Sequence, residues 1–183
     1  MKHALRAFIL TVIVISFVTS AYGQQEMSKP KSVYEQFLSD LGTMITKDFY
    51  ALSSLRSSYK NLEVKVIRIT SKKGSNYFLS LSATEEYSKK SAIIAHDDLT
   101  EISKALNTII TKSKKESTKK LEYRERFFVT NDGFKIGYYQ KGTEQTFFID
   151  LDDYQSDDNY FFDNFDPLIQ AIERAKAKIE SLK

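Results

Sequence analysis

Between Asn61 and Ala95 apolar residues recur every second position, and beyond Asp98 they recur every three to four. The run "NLEVKVIRIT" (61–70) is rich in β-branched residues and reads as a strand. "SKKGS" turns the chain, and "NYFLSLS" sets Tyr77, Leu79 and Leu81 against Phe78, Ser80 and Ser82, the two faces of a second strand. A polar loop to Lys90 precedes the short strand "SAIIA", and "TMITKDFYAL" (43–52) reads as a strand before them. Ahead of that strand, Val33, Phe37, Leu38 and Leu41 suit a short helix interrupted at Gly42.

The longer period starts at Leu99. Leu99, Ile102, Leu106, Ile109 and Ile110 fall on one helical face, as packing on a sheet requires. Asp98 and Glu101 have capping-box spacing, so Asp98 is expected to cap this helix. Its end is expected at "TKSKKESTKK" (111–120), a polar linker with five lysines.

In the second half, turn chemistry predicts a register. Asp132-Gly133 reads as a two-residue type I′ turn, which places Val129 opposite Ile136, Phe127 opposite Tyr138 and Arg126 opposite Tyr139. Gly142-Thr143 fits a type II′ turn and pairs Lys141 with Glu144, Tyr138 with Phe147 and Ile136 with Ile149. One face of the meander then carries Phe127, Val129, Ile136, Tyr138, Phe147 and Ile149. The other carries Arg126, Phe128, Lys135, Gly137, Tyr139, Thr146 and Phe148. After an aspartate-rich stretch, "NYFFDNFDPLIQAI" leads into a last helix, with Asp166 as the expected cap and Pro167 at the first helical position. Leu168, Ile172, Ala175, Ile179 and Leu182 give its apolar stripe.

The two halves share a grammar. "SAIIAHDDL" and "NYFFDNFDPL", about 70 residues apart, each join a strand to a helix after a hairpin-rich region. The chain therefore reads as an α+β protein of two ββββα repeats, antiparallel meander sheets each followed by a packing helix, with residues 33–120 the first repeat and its linker and 121–183 the second. Each unit has one apolar sheet face and one apolar helix stripe, so both can close over a common interior.

Composition then limits the function. Lys2 and Arg6 precede a largely apolar run, Ala7 to Val18, and Ala21-Tyr22-Gly23 places small residues at −3 and −1. That is the layout of a signal peptide over residues 1–23, followed by a polar tether over 24–32. An exported protein, periplasmic or secreted, is expected, with no stable membrane insertion after cleavage. The remaining 160 residues suffice for one core without disulfides, which fits the absence of cysteine. Loss of Lys2 and Arg6 takes the formal charge from +3 to +1, which does not suit a general polyanion binder.

His96 in "SAIIAHDDL" is the one histidine after the leader. A Ser-His-Asp site would have to use it, yet no Gly-x-Ser-x-Gly turn is present to hold a serine. Zinc, which takes several His or Cys ligands, has no partner ligands here. No catalytic residue, cofactor or metal site is expected. "DLDDYQSDDNYFFDNFD" (150–166) holds seven aspartates but lacks the EF-hand glycine and glutamate, so it reads as a solvated loop, with Ca²⁺ the ion to test. Cations and rings gather in one place, the expected outer face of Arg126, Phe128, Lys135, Tyr139 and Phe148, as a single-stranded nucleic-acid platform requires.

The segment "AHDDLTEISKALNTI", after a strand and before a second strand-rich half, resembles a family of small exported bacterial proteins without assigned function. Their pattern Tyr-Ile-Asp-Tyr-Asp-Glu-Leu aligns with Ile93 to Leu99. In topology the doubled ββββα unit is similar to the Whirly-type single-stranded-DNA-binding fold, whose lysine-bearing loop has no counterpart in this chain. The leading expectation is a non-catalytic exported domain that binds a protein or a small ligand through a sheet face or the cleft between repeats. A Whirly-like nucleic-acid binder is the alternative, and a hydrolase built on His96 is third.

Overall fold

The computed structural model describes residues 32–39, 42–84, 89–151 and 159–183. The expected leader, all of the tether but Ser32, and the middle of the aspartate-rich stretch lie outside them. A short helix α1 (Val33–Leu38) opens the described chain. It is followed by strands β1 (Thr46–Arg56), β2 (Asn61–Ser71), β3 (Gly74–Thr84) and β4 (Lys89–Ala95), and by helix α2 (Asp98–Glu116). The second half repeats the order with β5 (Leu121–Val129), β6 (Lys135–Gly142), β7 (Glu144–Asp150), β8 (Tyr160–Phe162) and α3 (Asp166–Glu180). Each half forms its own four-stranded antiparallel meander, β1-β2-β3-β4 and β5-β6-β7-β8. The α+β class and the paired sheet-then-helix units are as the sequence predicts.

The helices, however, exchange sheets. α3, at the end of the second half, packs on β1, β2 and β3 of the first sheet. Its Lys178 ammonium lies 4.9 Å above the Tyr50 ring, and the Tyr77 hydroxyl donates to the Leu182 carbonyl at 2.9 Å. α2, from the first half, packs on β5 and β6 of the second sheet as well as on β4 and α3. One buried cluster results, joining Val64, Leu79 and Ile94 of the first sheet to Ile136, Tyr138 and Ile149 of the second and to Ile102, Leu168 and Ile172 of the helices. The β1–β2 turn also hooks onto the last strand, since the Ser58 N–H and hydroxyl both donate to the Phe161 carbonyl, at 2.8 and 3.0 Å. Neither sheet can bury its inner face with the helix of its own half alone.

Three expectations need correction. First, α2 runs on to Glu116, through half of the expected linker, because Ser113 and Glu116 face the interior and find partners there. Second, neither Asp98 nor Asp166 is a cap; each is the first helical residue. The chain is already helical at Asp97 (φ −66°, ψ −31°), so Asp98 lies within the first turn. There partial burial, then Glu101 and Asp97, raises its carboxyl above its ordinary value. At α3 the Asn164 side chain accepts from the Asp166 N–H at 2.9 Å, two residues earlier than expected. A complete capping box stands at α1, where the Ser32 hydroxyl accepts from the Glu35 N–H (3.1 Å) and the Glu35 carboxylate from the Ser32 N–H (3.0 Å).

Third, the β5–β6 register is shifted by one. The β6–β7 pairs Ile136↔Ile149, Tyr138↔Phe147 and Lys141↔Glu144 are as predicted, with Gly142 at φ +64°. In β5–β6, by contrast, the pairs are Val129↔Lys135, Phe128↔Ile136, Phe127↔Gly137 and Arg126↔Tyr138. The Thr130 N–H donates to the Phe134 carbonyl and the Gly133 N–H to the Thr130 carbonyl, closing a three-residue loop with Gly133 at φ +89°. The Thr130 hydroxyl accepts the Phe134 N–H as well, which holds this longer closure. A one-residue slip reverses every side chain of β5. Arg126 and Phe128 therefore face inward, and Phe127 and Val129 outward.

Candidate functional site

The outward face of the second sheet is built in cross-strand rows. Val129, Lys135 and Asp150 form one row, Phe127, Gly137, Phe148 and Phe161 the next, and Glu125, Tyr139 and Thr146 the third. Gly137 leaves a trough, which the neighbouring rings flank. A Cβ on Gly137 would stand 2.3 Å from the Arg126 carbonyl oxygen and 2.7 Å from the Phe127 Cβ, so no larger residue fits against β5. Tyr139 spans the gap, 6.5 Å from the Phe148 ring, edge-on to Phe161 at 6.3 Å, and stacked on Tyr123 at 6.2 Å. Under these rings Phe148 is only 1% exposed, while Tyr123 is 60%, Phe127 51% and Val129 39% exposed.

The other sheet treats its outer face differently. There Ile67, Ile69, Phe78 and Ala95 lie under α1 and the segment after it, through Tyr34, Phe37, Leu38 and Ile45, with the Tyr34 ring edge-on to Phe78 at 5.3 Å. Phe49, in the edge strand β1, stays exposed. Among the described residues no helix covers the corresponding face of the second sheet. Burial of apolar surface is the main force that shapes a fold, so a run of exposed rings on one face is the notable feature of this surface.

Of the five residues expected to form a binding face, Lys135, Tyr139 and Phe148 do share it. Phe148 is buried beneath its neighbours and offers no ring to a ligand. The Lys135 ammonium sits 5.5 Å over the Phe127 ring and 3.6 Å from the Asp150 carboxylate. Arg126 and Phe128 are on the reverse side. Tyr123, Phe127 and Val129 take their place on the outer face; the signal for them was Thr130, whose hydroxyl closes the loop one residue earlier on the β5 side than Asp132-Gly133 alone implies.

Arg126 is held by Glu116, at the end of α2. Its Nε and Nη2 donate to Oε2 and Oε1 at 3.0 and 2.8 Å, Arg124 approaches at 3.3 Å, and the Tyr138 hydroxyl donates at 2.9 Å. The Arg126 guanidinium is the main reason the Glu116 carboxyl is lowered to about 2, and burial foremost, then Glu116, pushes the Tyr138 phenol up. Gln140, wholly buried, donates to the carbonyls of Glu116, Lys119 and Gly142, and Gln145 to that of Ser113. This network fastens α2 to the inner side of β5–β7. Its Ser113, Glu116 and Lys119 lie inside the lysine run, where local pattern predicts a polar linker.

His96 lies at the β4–α2 joint in a cleft of ≈ 390 Å³ shared with Val33, Ser75, Tyr77, Phe78 and Lys183. Its Nδ1 is 3.2 Å from Asp97 and its Nε2 3.6 Å from Glu180. Both ring nitrogens thus face carboxylates, and the Ser75 hydroxyl is engaged with Thr70 at 2.8 Å. Among the described residues no group of three or more His, Cys, Asp or Glu is placed to hold a metal ion, and no helix is long and apolar enough to cross a membrane. No family model, characterised protein or solved structure matches this chain. Its own surfaces carry the functional reading.

Proposed function

We propose that this protein is an exported, non-catalytic binding domain that receives a protein partner on the open face of its second sheet. The observation that carries the reading is the exposure of Tyr123, Phe127 and Val129 on a sheet whose counterpart is covered by α1. Exposed aromatic side chains on a sheet face are typical of protein interfaces, whereas small ligands sit in concave sites. The charges on this face favour protein over single-stranded nucleic acid: Lys135 is opposed by Asp150, Glu125 adds a negative charge two rows away, and Arg126 is engaged by Glu116 behind the sheet.

Introducing a photo-crosslinking phenylalanine analogue at Tyr123, Phe127 or Val129, in cells that make the protein, should attach the same protein at all three positions. The same replacement at Glu63, on the outer face of the first sheet, should attach none. Crosslinks to nucleic acid, or equal labelling at Glu63, would reject the reading. Export rests on the leader-like pattern of residues 1–23; the protein recovered outside the cytoplasm should begin at Gln24, and an intact Met1 terminus would overturn it.

A further inference from the structure

We infer that the partner docks by adding an extended strand along the free edge of β5, and that this strand alternates apolar and acidic residues. The inference rests on the binding reading above and names its occupant.

Among the described residues β5 is the first strand of its sheet and pairs with β6 alone. Its regular stretch, Arg124 to Val129, follows a register shift at Leu121/Arg124. Because the Thr130 N–H donates to the Phe134 carbonyl, and hydrogen-bonded pairs alternate along an antiparallel ladder, Arg124, Arg126 and Phe128 turn their backbone groups toward β6. Glu125, Phe127 and Val129 turn theirs outward. A docking strand needs that row of donors and acceptors. The other edges are poorer templates. β8 has three residues and is capped by Ser58 on the Phe161 carbonyl; β1 lies against α3, and its Lys47 ammonium donates to the Tyr34 hydroxyl of α1 at 3.0 Å; β4 begins Lys89-Lys90 and touches both α1 and α2.

Side chains set the chemistry of the incoming strand. On the outer side it would meet Tyr123, Phe127 and Val129, with Glu125 among them, which selects apolar residues and repels acids. On the inner side it would meet Arg124 and Arg126, whose side chains are 36% and 40% exposed and which share the single carboxylate of Glu116. Charge complementarity there calls for a carboxylate. From Lys112 to Arg126 the chain carries seven Lys or Arg against three Glu, an excess larger than the +3 of the whole sequence. A second copy of this chain would bring the same two arginines, like charge against like, so the occupant is a different, acidic polypeptide.

The test uses the full chain with a fluorescent decapeptide alternating glutamate and valine. A lysine–valine decapeptide and an oligothymidylate serve as comparisons, and the protein's own sedimentation is followed alongside. The glutamate–valine peptide should bind in preference to both and slow amide hydrogen exchange at Glu125, Phe127 and Val129. Phe127→Pro removes the central outward N–H and should weaken binding about tenfold or more. Arg124→Glu, which leaves the backbone unchanged, should turn the preference toward the lysine–valine peptide. The inference is overturned by no binding, by equal binding of the lysine–valine peptide, by preference for oligothymidylate, or by a dimer that protects the same three amides. Perturbation of Tyr123 and Tyr139 without β5 protection would sink the strand-addition inference and leave the face reading standing. Failure of crosslinking at Tyr123, Phe127 and Val129 removes both.

Discussion

Arg126 grips Glu116 through two hydrogen bonds, at 3.0 and 2.8 Å, and so ties the last turn of α2 to the edge strand of the second sheet. The pair makes stability depend on acid. Glu116 titrates at about 2 in the folded chain against an ordinary 4.5, so the folded state binds this proton less readily than the unfolded one. Its contribution is fully present above the unfolded value and is lost as pH falls from about 5 to about 2. Urea denaturation across that range should show the decline. Glu116→Gln should be less stable at neutral pH and show a flatter acid slope; an unchanged slope would mean other carboxylates set it.

Gly137 tests the close approach of β5. Its backbone is not in the left-handed region, so only space matters: a methyl group would stand 2.3 Å from a backbone oxygen that cannot swing away. Gly137→Ala should destabilise the protein by about 1–3 kcal/mol. Amide exchange should quicken first in β5 and β6. A neutral effect in denaturant titration would contradict the tight pairing.

Exchange of the helices makes the halves interdependent. Fragments 31–120 and 121–183 should each lack cooperative structure by circular dichroism and recover it on mixing. In the intact chain, Ile172→Ala in α3 should cost about 2–5 kcal/mol, because Ile172 is 2% exposed between the sheets. Both sheets should then melt in one transition at lower temperature. Separate transitions would show that the halves are autonomous.

Phe127 and Phe148 flank the same glycine, and exposure separates them. Phe127→Ser should change stability by no more than about 0.5 kcal/mol while abolishing partner capture. Phe148→Ala, at a 1% exposed ring, should cost about 3–5 kcal/mol. Equal losses of stability would mean that Phe127 serves the core rather than a surface.

Much of the fold was legible because periodicity reports burial directly. The alternation of Leu79 and Leu81 with Ser80 and Ser82, and the stripe from Leu99 to Ile109, specify which side of each element meets the interior. Gly142-Thr143 specified a register because two residues leave one way to close that hairpin. At Asp132-Gly133 the same rule failed by one residue. The Thr130 hydroxyl offers the Phe134 N–H an acceptor, and the longer loop puts Ile136 across from Phe128 at the core. The candidate site fared worse than the fold for this reason, since a slip of one exchanges the two faces of β5.

The local pattern of residues by itself determined the strands, the helices, the meander order and the doubled plan, since each depends on contacts made within a short stretch of chain. Only the tertiary structure decided that α2 and α3 trade sheets, that Glu116 in a lysine run is a buried anchor for Arg126, and that Phe127 rather than Phe128 faces outward. Those outcomes depend on partners some 10 to 100 residues away, such as Arg126 for Glu116 and Leu182 for Tyr77. Local pattern holds no record of which distant surface will take up an apolar stripe or a lone carboxylate.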